Sequence, residues 1–394
     1  MATNQSLEQT VDEIFDTLVK SRFIEMFGDP IQNPKKWNKK KLRELLEIER
    51  GGSPRPIDDY ITDDPNGLNW IKIGDAQEGS YFIDSVKEKI KPEGLKKTRE
   101  VIPGDLILSN SMSFGKPYIM KIPGCIHDGW LLLRDSENHF NKLFLCMALG
   151  FPSVTHTFKG SARGAVVNNL NKELVGELDF IVPPIELQDQ FVKFVQQVDK
   201  SKVICKQMVS RFDDLVKSRY VEMFGKLEKG SFKYPACKLS DICDGRSSTI
   251  QINKMKDNDG EFPLFGASGI VKKIDSFSQN KEYVGIVKDG AGVGRVSHYP
   301  AYSSLVGTMA YLVPKDNCTI SYLEQTLKMM DLGNSSTGST IPHIYFKDYG
   351  KTLIPLPPID MQNKFEMFVK QVDKSKSALI NFIAERLKFD SEVP

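Results

Sequence analysis

The sequence predicts an α+β chain: two mixed α/β domains separated by long antiparallel coiled-coil helices, arranged as a pseudo-twofold internal repeat. Two observations predict it. Residues 16–28 (DTLVKSRFIEMFG) return as 213–225 (DDLVKSRYVEMFG), identical at ten of thirteen positions with an offset of 197. Residues 183–202 (PPIELQDQFVKFVQQVDKSK) return as 357–376 (PPIDMQNKFEMFVKQVDKSK), identical at thirteen of twenty with an offset of 174. A repeat reports architecture before any single residue does. The offsets differ because the stretches between the repeats differ in length, and those stretches share little sequence. A constant scaffold therefore carries two different inserts.

The first repeat opens the chain, where Leu7, Val11, Ile14, Phe15 and Leu18 lead into VKSRFIEMFG and predict a conserved helix over 1–28. A second helix is predicted from Pro183-Pro184 to Gly225. It has Glu186 in its first turn, and the glycine serves as a C-terminal cap. A ladder in steps of four and three (Leu187, Phe191, Phe194, Val198, Ser201, Cys205, Met208, Phe212, Leu215) marks the seam of a helix packed along its length. Its span of about 38 residues corresponds to roughly 57 Å. The third helix follows Pro357-Pro358 with the ladder Met361, Phe365, Phe368, Val372, Ser375, Leu379, Phe382. The central helix holds both repeated segments joined, and each terminus holds a single segment. The terminal helices together are expected to imitate the central one. Lys20, Ser21, Arg22 and Glu25 recur as Lys217, Ser218, Arg219 and Glu222. A dimerisation seam alone does not require such repetition, which fits recent duplication or a repeated partner-binding surface equally well.

The inserts, 29–183 and 226–356, read as short strands between Gly, Pro, Asn and Asp turns. Each begins with a predicted helix and ends in a Gly-containing tail before a Pro pair. KDGAGVGRV (288–296) is followed by a strand pattern, RVSHY, where a phosphate-binding loop needs a helix, so a hairpin is expected.

Composition excludes several function classes. With 53 basic and 51 acidic residues and 40% hydrophobic content, the chain is that of an ordinary globular protein of about two domains. No apolar run approaches the roughly 20 residues of a membrane span, and the acidic, polar N-terminus lacks a signal peptide's pattern, so the cytoplasm is expected. Cys237 and Cys243 are too far apart for a zinc pair, and the six cysteines read as reduced thiols without metal. No nucleophile elbow, P-loop or nuclease-type carboxylate set is present, and His127 and His343 read as isolated structural histidines. What remains are polar loops able to meet phosphates and base edges. Arg50, Ser53 and Arg55 share one turn; Asn110, Ser111, Ser113 and Lys116 another; Lys159, Ser161 and Arg163 a Gly-flanked third. The second insert offers Arg246, Ser247 and Ser248, then Lys288 and Arg295, then Thr337, Ser339, Thr340 and His343.

With KSRFIEMFGDP, RGGSPRP, SNSMSFGKPYI and VPPIELQ as landmarks, the chain resembles the specificity (S) subunit of type I restriction–modification systems over essentially its whole length. The resemblance implies that each insert is a target recognition domain reading half of a bipartite double-stranded DNA sequence. It also implies that the helices set the gap and dock two methyltransferase (modification) subunits, with restriction/translocase subunits joining the complex. The subunit would be non-catalytic: S-adenosylmethionine, ATP and Mg belong to the partners. The candidate partner-binding residues are Lys20, Arg22, Glu25, Lys217, Arg219 and Glu222. A helix ahead of the first insert, with no EMFG-type segment after the second copy, resembles a circular shift of the repeat. Two other functions fit the same residues: a specificity subunit serving a methyltransferase without restriction, and a duplicated coiled-coil adaptor that binds protein only.

Overall fold

The structure, a computed structural model, describes residues 4–77, 79–110, 114–163, 170–227, 231–290, 292–335 and 342–392. Its helices are α1 (Asn4–Phe27), α2 (Leu42–Leu45), α3 (Lys142–Leu149), α4 (Pro152–Arg163), α5 (Lys172–Gly176), α6 (Ile185–Phe224), α7 (Leu239–Ile242), α8 (Ile320–Met329), α9 (Phe346–Tyr349) and α10 (Ile359–Glu392). The chain forms two compact units: Thr17–Asp199 (the first unit) and Met1–Asp16 with Lys200–Pro394 (the second). The division falls inside α1 and inside α6.

Each unit contains a sheet with the same four antiparallel strands, to which the first unit adds Phe82–Ile83 as a parallel edge strand. In the first, the strands run Glu47–Arg50, Trp130–Arg134, Leu106–Ser109, Pro117–Met120, Phe82–Ile83 across the sheet. In the second, the order is Cys243–Ser247, Met309–Pro314, Tyr283–Val287, Val296–Tyr299. Register makes the correspondence specific, because Trp130 lies opposite Ser109 as Met309 lies opposite Val287. The KDGAGVGRV segment is the expected hairpin between the last two of these strands. The predicted opening helix of each insert shrinks to a single turn, α2 and α7. Lys39–Lys41 and Ala236–Lys238 pair instead as strands with Asp179–Ile181 and Leu353–Pro355.

Aromatic packing against the long helices is duplicated almost ring for ring. Phe27 meets Phe191 edge-on at 5.5 Å and Phe144 at 4.7 Å; Phe224 meets Phe365 at 5.4 Å and Tyr322 at 5.0 Å. Phe23 and Tyr220 make the equivalent contacts a turn earlier. These contacts make α6 antiparallel to α1 in the first unit and to α10 in the second. Within the second unit, Asp12 of α1 pairs with Lys202 and Lys206, while Lys376 of α10 pairs with Asp213. Both terminal helices thus lie against the middle of α6, as expected of two segments that together imitate a single helix.

The seam departs from the predicted ladder. Phe191, Phe194, Val198 and Cys205 are buried, but Met208 and Leu215 are 40% and 47% exposed, and Val209, Val216 and Tyr220 are buried in their place. In α10 the shift recurs: Phe382 is exposed, while Lys376, Ile380 and Leu387 are buried. A 3.6-residue helix drifts by about 20° per heptad from a strict 3.5-residue pattern, so a ladder read over many turns walks off the buried face.

Candidate nucleic-acid interface

In the first unit, the strand ends bring three loops together. Arg50 ends its strand opposite Leu131, and Asn110 follows Ser109, so both stand beside the turn His127–Gly129 that enters Trp130–Arg134. The double glycine after Arg50 makes this possible. A Cβ on Gly51 would sit 2.2 Å from the His127 carbonyl oxygen, while the Gly51 and Gly52 N–H groups donate to Trp130 O and Ile126 O. Asp128 lies at the centre. Its carbonyl accepts from Asn110 Nδ2 at 2.9 Å and Arg50 Nε at 3.4 Å, and its Oδ1 accepts from Ser53 Oγ at 2.9 Å. His127 Nε2 is also 2.9 Å from Oδ1, and Arg55 Nη2 stands 4.0 Å from Oδ2. A cleft of about 680 Å³ opens here, lined by Ser53–Asp58, Ile61, Trp70, Lys72, Glu88, His127 and Asp128.

The second unit gathers its candidates at the same end of its sheet. Arg246 and Ser247, both exposed, lie opposite Tyr311 and Ala310 on the edge strand. Lys288 N–H and Ser248 N–H donate to the adjacent residues Thr308 O and Met309 O. The segment at His343 docks along the glycine loop, with Ile344 N–H donating to Lys288 O and Gly290 N–H to Pro342 O. Lys288 Nζ pairs with the Asp289 carboxylate, and Arg295 Nη1 donates to Ala267 O at 3.3 Å.

Not every sequence candidate survives. Asn110 is 1% exposed and Ser248 is 7% exposed, its Oγ donating to Leu305 O, so both side chains support the loops rather than face solvent. Lys116 is exposed, and its N–H donates to Ser109 Oγ. Lys159, Ser161 and Arg163 lie on α4 and not in a loop, because Pro152 starts a helix that buries Val154 and Phe158 four residues apart. Lys159 is exposed there. Ser111, Ser113, Thr337, Ser339 and Thr340 lie outside the described residues. His127 Nδ1 accepts from Gly129 N–H and its Nε2 stands 2.9 Å from Asp128 Oδ1, so it belongs to the cluster and is not isolated.

The repeated helix residues have a structural use. Arg22 lies over the Phe194 ring at 5.9 Å and pairs with Glu25 at 2.9 Å; Arg219 lies over Phe368 at 5.7 Å and pairs with Glu222 at 2.8 Å. Lys20, Glu25, Lys217 and Glu222 stay exposed. Sequence reading overlooked Asp128 as a hub. It also passed over Gln188 and Gln362, the last residues of PPIELQ and PPIDMQ. Each is fully buried, accepts from the N-cap backbone N–H of a sheet-covering helix (Asn141 of α3, Thr319 of α8), and donates to Pro183 O or Pro357 O. Their identity within the repeat was the available signal.

All six cysteines are free, and burial raises every one of their thiols, Cys125 to about 11 and Cys146 and Cys243 to about 12. Among the described residues, no group of three or more His, Cys, Asp or Glu could hold a metal ion, and no helix is long and apolar enough to cross a membrane.

The sheet ends recur in both units, and so does the family match: the model of the type I restriction modification DNA specificity domain fits residues 34–208 and again 234–388. The chain belongs to that family. A specificity-domain protein of Methanocaldococcus jannaschii, provisionally called the type I restriction enzyme MjaX specificity subunit, is 25% identical over 222 residues, 53% of this chain and 49% of that one. The chain thus spans about half the length of this curated relative. A solved chain from work on complex assembly and conformational transition of the type I R-M system has a TM-score of 0.53 at 18% identity, covering 91% of this chain and 96% of that one, and shares the fold. The HsdS subunit from Thermoanaerobacter tengcongensis covers 91% and 95% at 16% identity, with a TM-score of 0.42.

Proposed function

We propose that this specificity-domain chain is the DNA sequence-specificity subunit of a type I restriction–modification complex, acting in the cytoplasm. The observation that carries the reading is the repeated sheet end: one scaffold presents Arg50, Ser53 and Arg55 in the first unit and Arg246, Ser247, Lys288, Arg295 and His343 in the second. Basic and hydroxyl side chains of this kind position a duplex through its phosphates and reach its base edges. Because the two sets differ, the half-sites differ, and the target is bipartite and asymmetric. We take 29–183 and 226–356 as the target recognition domains, and 1–28, 184–225 and 357–394 as conserved helices. The exposed Lys20, Glu25, Lys217 and Glu222, repeated with the helices, would meet two equivalent methyltransferase subunits, and restriction/translocase subunits complete the assembly. The chain itself is non-catalytic, with S-adenosylmethionine, ATP and Mg held by the partners.

An electrophoretic shift with mixed duplexes, run with the modification subunits present, tests this. Affinity should fall steeply with salt, with a log–log slope of roughly −0.9 per neutralised phosphate. One bipartite sequence should survive competition. The absence of a salt-dependent, sequence-preferring shift would instead support a protein-only adaptor.

A further inference from the structure

We propose that Asp128 is a specificity-determining residue of the first unit, its carboxylate accepting a hydrogen bond from the exocyclic amino group of cytosine or adenine in the major groove. This rests on the DNA-reading function above and goes beyond it by naming the atom that reads and the class of base read.

The carboxylate is held from behind. Asn110 Nδ2 at 2.9 Å and Arg50 Nε at 3.4 Å fix the Asp128 carbonyl, so the backbone of the turn cannot swing. Gly129 N–H donates to His127 Nδ1 at 2.9 Å, which makes Nδ1 the acceptor and leaves the proton on Nε2. The Ser53 hydroxyl donates to Oδ1 at 2.9 Å, and His127 Nε2 stands 2.9 Å from the same oxygen, so Oδ1 is engaged from the protein side. Oδ2 is different. Among the described residues, its nearest cation is Arg55 Nη2 at 4.0 Å, past hydrogen-bond reach, on a side chain that is 83% exposed. One carboxylate oxygen is therefore locked in place, and the other is presented, pre-oriented, in a side chain one-third exposed beside the cleft.

An ionised carboxylate only accepts. Among major-groove edges, cytosine N4 and adenine N6 donate, whereas guanine N7 and O6 and thymine O4 accept and would be repelled. The flanking Arg50 and Arg55 offset the repulsion between this anion and nearby phosphates. In the second unit the equivalent position, two residues before the strand Met309–Pro314, is Gly307, which has no side chain to read with. The effect should thus be confined to one half-site.

Duplex selection and sequencing with the full chain assembled with modification subunits gives the test. Wild type should select cytosine or adenine at one position that becomes relaxed, by roughly 10- to 100-fold in enrichment, in Asp128→Ala and favours adenine over cytosine in Asp128→Asn, whose amide accepts from N6 and donates to N7. The other half-site should be unchanged. A complementary measurement keeps wild-type protein and replaces each adenine or cytosine of the selected site with purine or 2-pyrimidinone, which lack the amino group. One replacement should weaken wild-type binding and leave Asp128→Ala binding unaffected. An unchanged motif in both variants, or no analogue position that discriminates wild type, overturns the role of Asp128 while leaving DNA reading intact. A wild-type complex that selects no sequence overturns both.

Discussion

At the residue scale, side chains that look expendable in the sequence carry the frame. Gln188 sits between helix α6 and the start of α3, accepting from Asn141 N–H at 2.9 Å and donating to Pro183 O at 2.9 Å and His139 O at 3.3 Å. Gln362 makes the same three bonds to Thr319, Pro357 and Asn317. Leucine fills the space but satisfies none of them, and each orphaned buried group costs about 1–3 kcal/mol. Gln188→Leu and Gln362→Leu should each lower unfolding stability by about 2 kcal/mol or more in urea titration, and unchanged midpoints would show the bonds to be dispensable. The glutamine was visible as a repeated letter, but its role was not. A repeat states that a residue is kept, whereas the three backbone groups it satisfies come from loops far away in sequence.

At the scale of elements, the long helices were legible and their buried face was not. Pro pairs, glycine caps and apolar spacing locate α6 and α10, since those signals are local. The seam depends on how far a real helix rotates over its full length. Met208→Glu and Leu215→Lys should therefore change thermal stability by no more than about 0.5 kcal/mol. Val209→Lys, which buries an unpaired charge, should cost more than about 3 kcal/mol. A reversed order in thermal melts would restore the strict ladder. Acid should loosen the same pairing. Burial pushes the Asp12 carboxyl up, but hydrogen bonds and charge from Lys206 and Lys202 outweigh it and hold the group below its ordinary value. A depressed carboxyl gives stability that is present above its unfolded pKa and lost as pH falls through the folded one. The melting temperature should accordingly fall as pH drops below about 4, and Asp12→Asn should flatten that slope.

For the whole molecule, the pairing of constant scaffold with variable insert predicts modularity. Replacing residues 29–183 with those of a relative should change one half of the methylated sequence, read by single-molecule sequencing of host DNA. Retention of both halves, or loss of both, would contradict a division of labour between the units. The two sheets share strand order and register despite little common sequence because the framework contacts, ring on ring and glutamine on N-cap, lie at their junctions with the repeated helices. The strand ends remain free to differ.

By itself, the sequence determined the duplication, the three long helices, the hairpin at 288–296 and the family resemblance. The first three rest on local periodicity or on comparing the chain with itself, and the resemblance rests on landmark motifs in their order. Tertiary structure alone decided which polar residues stand together. Arg50, Asn110 and Asp128 are far apart along the chain and meet only because antiparallel register sets three strand ends side by side. Ser248 and Asn110, polar in the sequence, are drawn inward by that register, and the Asp128 carboxylate is left facing out.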